Sequence, residues 1–129
     1  MKEIQAIPDS EMDILKIIWE NGGTIIFANL LDKLEACNKN WKRTTVQTFL
    51  SRMIERDIVS FRKIGRNTEY SALITEEEYL ISQTEAFVKK MYRGNSKSLI
   101  SALIKHDDIT QEDIDEIKSF WNKGGDMHE

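Results

Sequence analysis

The sequence predicts a mainly α protein with one small β-hairpin, built as two lobes over residues 1–73 and 74–129. Three observations carry that expectation. Apolar residues recur at helical spacing in six separate segments. A pair of short β-branched and aromatic runs, Ile58–Ile64 and Thr68–Leu73, flanks Gly65-Arg66-Asn67, the residue types that supply positive φ in a tight hairpin. The stretch from Trp41 to Val59 reads as an amphipathic helix with two faces of different chemistry.

The elements follow in order. Asp9 and Ser10 mark a helix start after Pro8, with Ser10-x-x-Asp13 resembling a capping box. Met12, Leu15 and Trp19, widened by Ile14, Ile17 and Ile18, form its apolar face, and Asn21-Gly22-Gly23 stops it. Thr24-Ile25 is a candidate short strand that pairs with the hairpin. A second helix, about Ile26 to Ala36, buries Phe27, Leu30, Leu31 and Leu34, and Cys37 just beyond it is expected to be a small buried hydrophobe. In the third helix Val46, Phe49, Leu50 and Met53 fall at i, i+3, i+4 and i+7. Its other face carries Thr44, Thr45, Gln47, Thr48, Ser51 and Arg52. Short hydroxyls and an amide let a helix approach a groove closely, and cations at its ends can neutralise phosphates. Three helices followed by a basic hairpin are the layout of a winged helix-turn-helix. The third helix is then a DNA recognition helix, where a merely solvated helix would be expected to carry acids.

In the second half, Thr75 and the three acids after it open a helix that runs to about Tyr92, and Gly94-Asn95 ends it. Another spans about Ser96 to His106, and Thr110-x-x-Asp113 caps a last one carrying Ile114, Ile117, Phe120 and Trp121. Three helices in about 55 residues cannot bury so many large side chains alone. Phe87, Met91, Leu99, Leu103 and Phe120 are therefore the candidates for covering one another across a homodimer.

The net charge of −4 hides an asymmetry. Between Lys39 and Arg66 eight bases face two acids, so this stretch carries +6 and the remaining 101 residues carry −10. Clustered basicity is the electrostatic footprint of a duplex-binding surface. It also separates this reading from the alternative, a winged-helix module that docks only onto protein, which has no need to gather bases there. No apolar run is long enough to span a membrane, the N-terminus lacks the pattern of a secretory signal, and the one cysteine precludes an internal disulfide. A cytoplasmic protein is expected. Catalysis is not: His106 and His128 have no nucleophile at a suitable spacing, and the acids sit at helix starts. No metal site and no cofactor is expected.

With these residues located, the chain resembles the penicillinase repressor family. The resemblance rests on Ser10-Glu11, Ile17-Ile18-Trp19, Trp41-x-x-x-Thr45-Val46-x-Thr48-x-Leu50-x-Arg52-Met53, Tyr70, Phe87-Val88-x-x-Met91-Tyr92-x-Gly94 and Ser98-Leu99-Ile100, which together cover nearly the whole chain. It implies a homodimeric repressor whose N-terminal lobe binds an inverted-repeat double-stranded operator. Carried over by position, Lys42, Arg43, Thr44, Thr45, Gln47, Thr48 and Arg52 are the contacts from the recognition helix and Arg66 that from the wing tip. Members that respond to β-lactams, and so govern antibiotic resistance, are inactivated by cutting an Asn-Phe bond. The matching pair here is Ala102-Leu103, not Asn-Phe; it is the candidate cleavage region for a sensor-linked protease, with another signal acting on the C-terminal helices as the alternative route of release. The copper-responsive branch ends in a cysteine-rich motif, whereas this chain ends Gly124-Gly125-Asp126-Met127-His128-Glu129. Arg56-Asp57 stands where the family often closes the recognition helix with Lys-Gly.

Overall fold

A computed structural model describes residues 3–106 and 108–124; His128 and the rest of the C-terminal tail lie outside them. The chain forms two compact units, Met1–Thr84 and Glu85–Glu129.

The first unit contains α1 (Asp9–Glu20), β1 (Thr24–Ile26), α2 (Phe27–Ala36), α3 (Arg43–Glu55), β2 (Val59–Ile64) and β3 (Asn67–Ala72). A further helix, α4 (Glu76–Met91), begins there. The strands make one antiparallel sheet in the order β1-β3-β2, so the short strand expected at Thr24-Ile25 does join the hairpin. Ile25 pairs with Tyr70, and Phe61 with Tyr70 from the other side. Ile14, Leu15, Ile18, Ile25, Leu30, Leu34, Val46, Leu50, Met53 and Val59 are almost fully buried in one core. Each such side chain contributes on the order of 1.5–3 kcal/mol by leaving water.

Several local details differ from the sequence reading. Ser10 does not cap α1: the helix starts at Asp9, Pro8 occupies the cap position with extended backbone, and no side chain bonds the free amides. The Pro8 carbonyl accepts the Met12 N–H at 2.9 Å and so begins the helical ladder. The recognition helix stops at Glu55 rather than reaching Val59, because Asp57 turns into the left-handed region with φ 60°. Ile58 then donates its backbone N–H to the Met53 carbonyl, which closes the helix end. The hairpin turn is the two-residue Gly65-Arg66, with Gly65 at φ 60°, while Asn67 pairs with Ile64 as part of the strand. This is the pattern of a type II′ turn. Cys37 is exposed, not buried, since α2 ends at Ala36 and its cap points away from the core.

The segment before α1 is tied to the start of α4. Ile4 donates to Ser82 Oγ, Ile7 donates to Tyr79 Oη, and Gln83 donates to the Ile4 carbonyl. Tyr79 is buried among the core residues, and the Trp19 indole N–H bonds the Ile74 carbonyl. Thr75 caps α4 as expected. Its hydroxyl accepts the Glu78 amide, and the Glu78 carboxylate returns the bond to the Thr75 amide.

The second unit holds the end of α4, α5 (Ser96–His106) and α6 (Gln111–Gly124). Arg93 and Gly94 both take positive φ and end α4. Thr110 and Asp113 form the reciprocal box that opens α6. Among the described residues of α5 none is buried. Met91 is 61% and Phe120 78% exposed; Phe87, Ile100, Leu103, Ile104, Ile117 and Trp121 are exposed as well. Leu99 and Ala102 are half-buried.

Candidate nucleic-acid interface

The recognition helix earns its position by its inner stripe. Val46, Leu50 and Met53 are buried, and Phe49 is half-buried against Trp41 at 5.2 Å between ring centroids. Turning that stripe inward leaves Lys42, Arg43, Thr44, Gln47, Thr48, Ser51 and Arg52 exposed and Thr45 half-exposed. All seven contacts expected from this helix therefore lie on or beside its open face.

The helices divide by how they open: α2 and α5, like α3, have no acid in the first turn. α1, α4 and α6 place acids in their first turn, whereas α3 has none and starts with Lys42 and Arg43. Cations at the positive end of a helix dipole cost a few tenths of a kcal/mol each. A local violation of this kind is accounted for when an anion sits there. Thr48 and Ser51 donate their hydroxyl protons to the carbonyls of Thr44 and Gln47 one turn back, at 3.0 and 2.9 Å. In this arrangement both hydroxyls present lone pairs outward, and Gln47 is the residue of the face with amide donors to offer.

The bases divide into two sets that the sequence did not separate. Lys39 pairs with Asp13 at 3.3 Å, Arg62 pairs with Glu69 at 2.8 Å, and Arg56 bonds Glu11. Among the described residues Lys42, Arg43, Arg52, Lys63 and Arg66 have no acid partner. Arg66 is exposed at the hairpin tip, as expected for the wing. Arg43 lies over the Phe27 ring at 5.0 Å. That ring begins a row through Tyr70, at 6.1 Å, to Phe61 on β2, at 6.5 Å from Tyr70. Burial pushes the Tyr70 phenol above its ordinary value, so it stays neutral. The row connects the first residue of the recognition helix with the wing through aromatic contacts.

Sequence reasoning missed Glu11. It looked like one more first-turn acid, yet it is 2% exposed. No sequence signal distinguishes a buried dipole-compensating Glu from an exposed one.

Among the described residues no group of three or more His, Cys, Asp or Glu side chains could hold a metal ion, and no helix is long and apolar enough to cross a membrane. A hollow beside the interface, lined by Pro8, Glu11, Arg52, Glu55 and Arg56, is an open depression and not an enclosed cavity.

Comparison with known proteins agrees with this geometry. The penicillinase repressor family model matches residues 7–123. The penicillinase repressor of Bacillus licheniformis is 29% identical over 117 residues, covering 91% of this chain and 90% of that protein. The methicillin resistance regulatory protein MecI of Staphylococcus aureus (strain N315) is 23% identical over the same length, covering 91% and 94%. Among solved structures, the DNA-binding domain of the repressor BlaI is similar with a TM-score of 0.52 and 32% identity, over 61% of this chain and 94% of that one. Monomeric B. licheniformis BlaI in complex with the blaP half-operator is similar with a TM-score of 0.51, also at 32% identity. A winged lobe whose third helix opens on cations with no acid in its first turn, and a family match that continues through the C-terminal helices, leave one assignment: the chain belongs to the penicillinase repressor family.

Proposed function

We propose that this protein is a cytoplasmic, homodimeric transcriptional repressor that binds an inverted-repeat operator through α3 and the β2–β3 wing. The observation that carries the reading is the open face of α3, with Thr44, Thr45, Gln47 and Thr48 flanked by unpaired Lys42 and Arg52 on a fold similar to that of BlaI solved with its half-operator. Thr45, Gln47 and Thr48 read base edges from the first turns of the helix, while Arg52 and Arg66 hold phosphates. A docking-only winged helix would not need a cation-led, acid-free helix start.

The C-terminal lobe supplies the dimer. Phe87, Met91, Leu99, Leu103 and Phe120 would cover one another across a twofold axis, since leaving this much apolar surface in water is unfavourable. Two lobes held together gain operator affinity through effective concentration, so repression ends when the dimer ends. Cutting α5 at Ala102-Leu103 by a sensor-linked protease, in response to a β-lactam, would do this. A cut there would separate Leu103 and Ile104 from Leu99 and Ile100 and so undo the packing of the dimer.

The test selects a duplex from a random pool with the full chain and compares it with scrambled DNA. Gln47→Ala should lose about 1–3 kcal/mol on the selected duplex alone, and Arg66→Ala should weaken both duplexes alike. Proportional losses from both variants would refute this division of labour. Failure of the chain to select any sequence would refute the function. Chain length in cells, followed before and after β-lactam exposure, tests the cleavage step.

A further inference from the structure

The Arg56–Glu11 bond joins the residue that ends the recognition helix to the first turn of α1. The Glu11 side chain is 3% exposed and that of Arg56 is 36% exposed. The Arg56 Nε also donates to the Arg52 carbonyl at 3.3 Å, so the guanidinium ties the last turn of α3 to α1. A buried ion pair of this kind adds little net stability, because desolvation offsets the attraction; what it supplies is direction. Toward its start α3 is held by oriented aromatic contacts, Phe49 edge-on to Trp41 and Arg43 over Phe27, but its C-terminal half is otherwise seated by apolar side chains. Leu50 and Met53 hold that half through apolar contact, which is non-directional, and methionine adapts readily to a shifted neighbour.

We propose that Glu11 and Arg56 are a positioning pair for base reading: they fix the rotation of α3 about its axis without touching DNA. The inference rests on α3 being the helix that enters the groove. Side-chain tips stand about 5–6 Å from a helix axis, so a rotation of about 20° carries them roughly 2 Å. Base-edge hydrogen bonds operate within a few tenths of an ångström of their ideal length, whereas a phosphate contact survives such a shift by a turn of the side chain. Losing the pair should therefore cost sequence discrimination before it costs backbone affinity. Arg56 is also withdrawn from the phosphate-contacting set, since its charge is engaged by Glu11.

The experiment uses the full chain and measures the ratio of affinities for the selected duplex and a scrambled one, together with thermal stability. In the double variant Glu11→Leu/Arg56→Met, apolar side chains of similar volume replace the pair, an exchange that is neutral or stabilising in other buried pairs. The melting temperature should hold or rise while the affinity ratio falls about tenfold, the worth of one lost base contact. Glu11→Gln keeps an acceptor oxygen and removes the charge; its ratio should fall about threefold with the fold intact, a drop of roughly half of a base contact's energy. This single variant decides the matter if the double one does not fold. Asp13→Ala breaks the exposed Asp13–Lys39 pair on the same helix and should leave the ratio unchanged. An unchanged ratio in the variants of the pair, or equal losses on both duplexes, would overturn the proposal and leave it a structural contact. If no duplex is selected by the parent chain, it is the DNA-binding reading that fails.

Discussion

Raising salt from about 50 to about 200 mM should weaken binding of one lobe to a half-site duplex about 500-fold. The figure follows from the division of the bases. Eight lie between Lys39 and Arg66, but Lys39, Arg56 and Arg62 are paired with Asp13, Glu11 and Glu69. Five remain to displace counterions, which gives a slope of log affinity on log salt of about −4.5, at about −0.9 per phosphate. Counting all eight would give about −7, or a loss of roughly 2 × 10⁴ over the same range. Fluorescence anisotropy of a labelled half-site duplex separates these values. Arg66→Ala should flatten the slope by about 0.9, whereas Arg62→Ala should scarcely change it. A slope near −7 would mean that the ion pairs open on DNA, and one near −2 that this surface is not the interface.

Four further outcomes are expected. Leu103→Asp or Phe120→Asp should turn a dimer into a monomer in sedimentation equilibrium at tens of micromolar, because each would bury an unpaired charge in the apolar contact. Arg56→Met should destabilise the first unit by about 3–5 kcal/mol in urea unfolding by stranding the buried Glu11, while Glu11→Leu strands only the half-exposed Arg56 and should cost far less. Thr75→Ala removes the hydroxyl cap of α4 and should cost about 1 kcal/mol. The Glu78 carboxylate is held below its ordinary value of 4.5 by the Thr75 backbone amide first and the Thr75 side chain second. Its contribution is present above pH 4.5 and is lost as pH falls through the lowered value, so the stability difference between the parent chain and Glu78→Gln should shrink on acidification below that point.

The elements with strong periodicity, and the capping boxes at Thr75 and Thr110, were legible because they depend on neighbours three or four residues away. The same holds for the exposed face of α3, whose buried stripe follows from spacing alone. Features decided by distant partners were not. Ser10 matches a capping pattern but lost to Pro8, and Cys37 matches a core residue type but lies past the helix end. Charge counting over a segment cannot see that Lys39, Arg56 and Arg62 answer acids 26, 45 and 7 residues away. Asp57 adopts the glycine-like backbone that the Lys-Gly of the family marks at this place, although its residue type alone does not announce it.

The three residues of β1 have a consequence for how this protein comes into being on the ribosome. They pair with Ser71, Tyr70 and Glu69, so the sheet cannot close until the chain through β3 has emerged. Loops of this span close slowly compared with a single helix. Until then the core side of α3 has no completed sheet beside it. A nascent chain thus exposes its cations before it holds them in a shape that can select a sequence. Competence for DNA arrives in one late step, when the strand at the wing meets the strand that preceded α2.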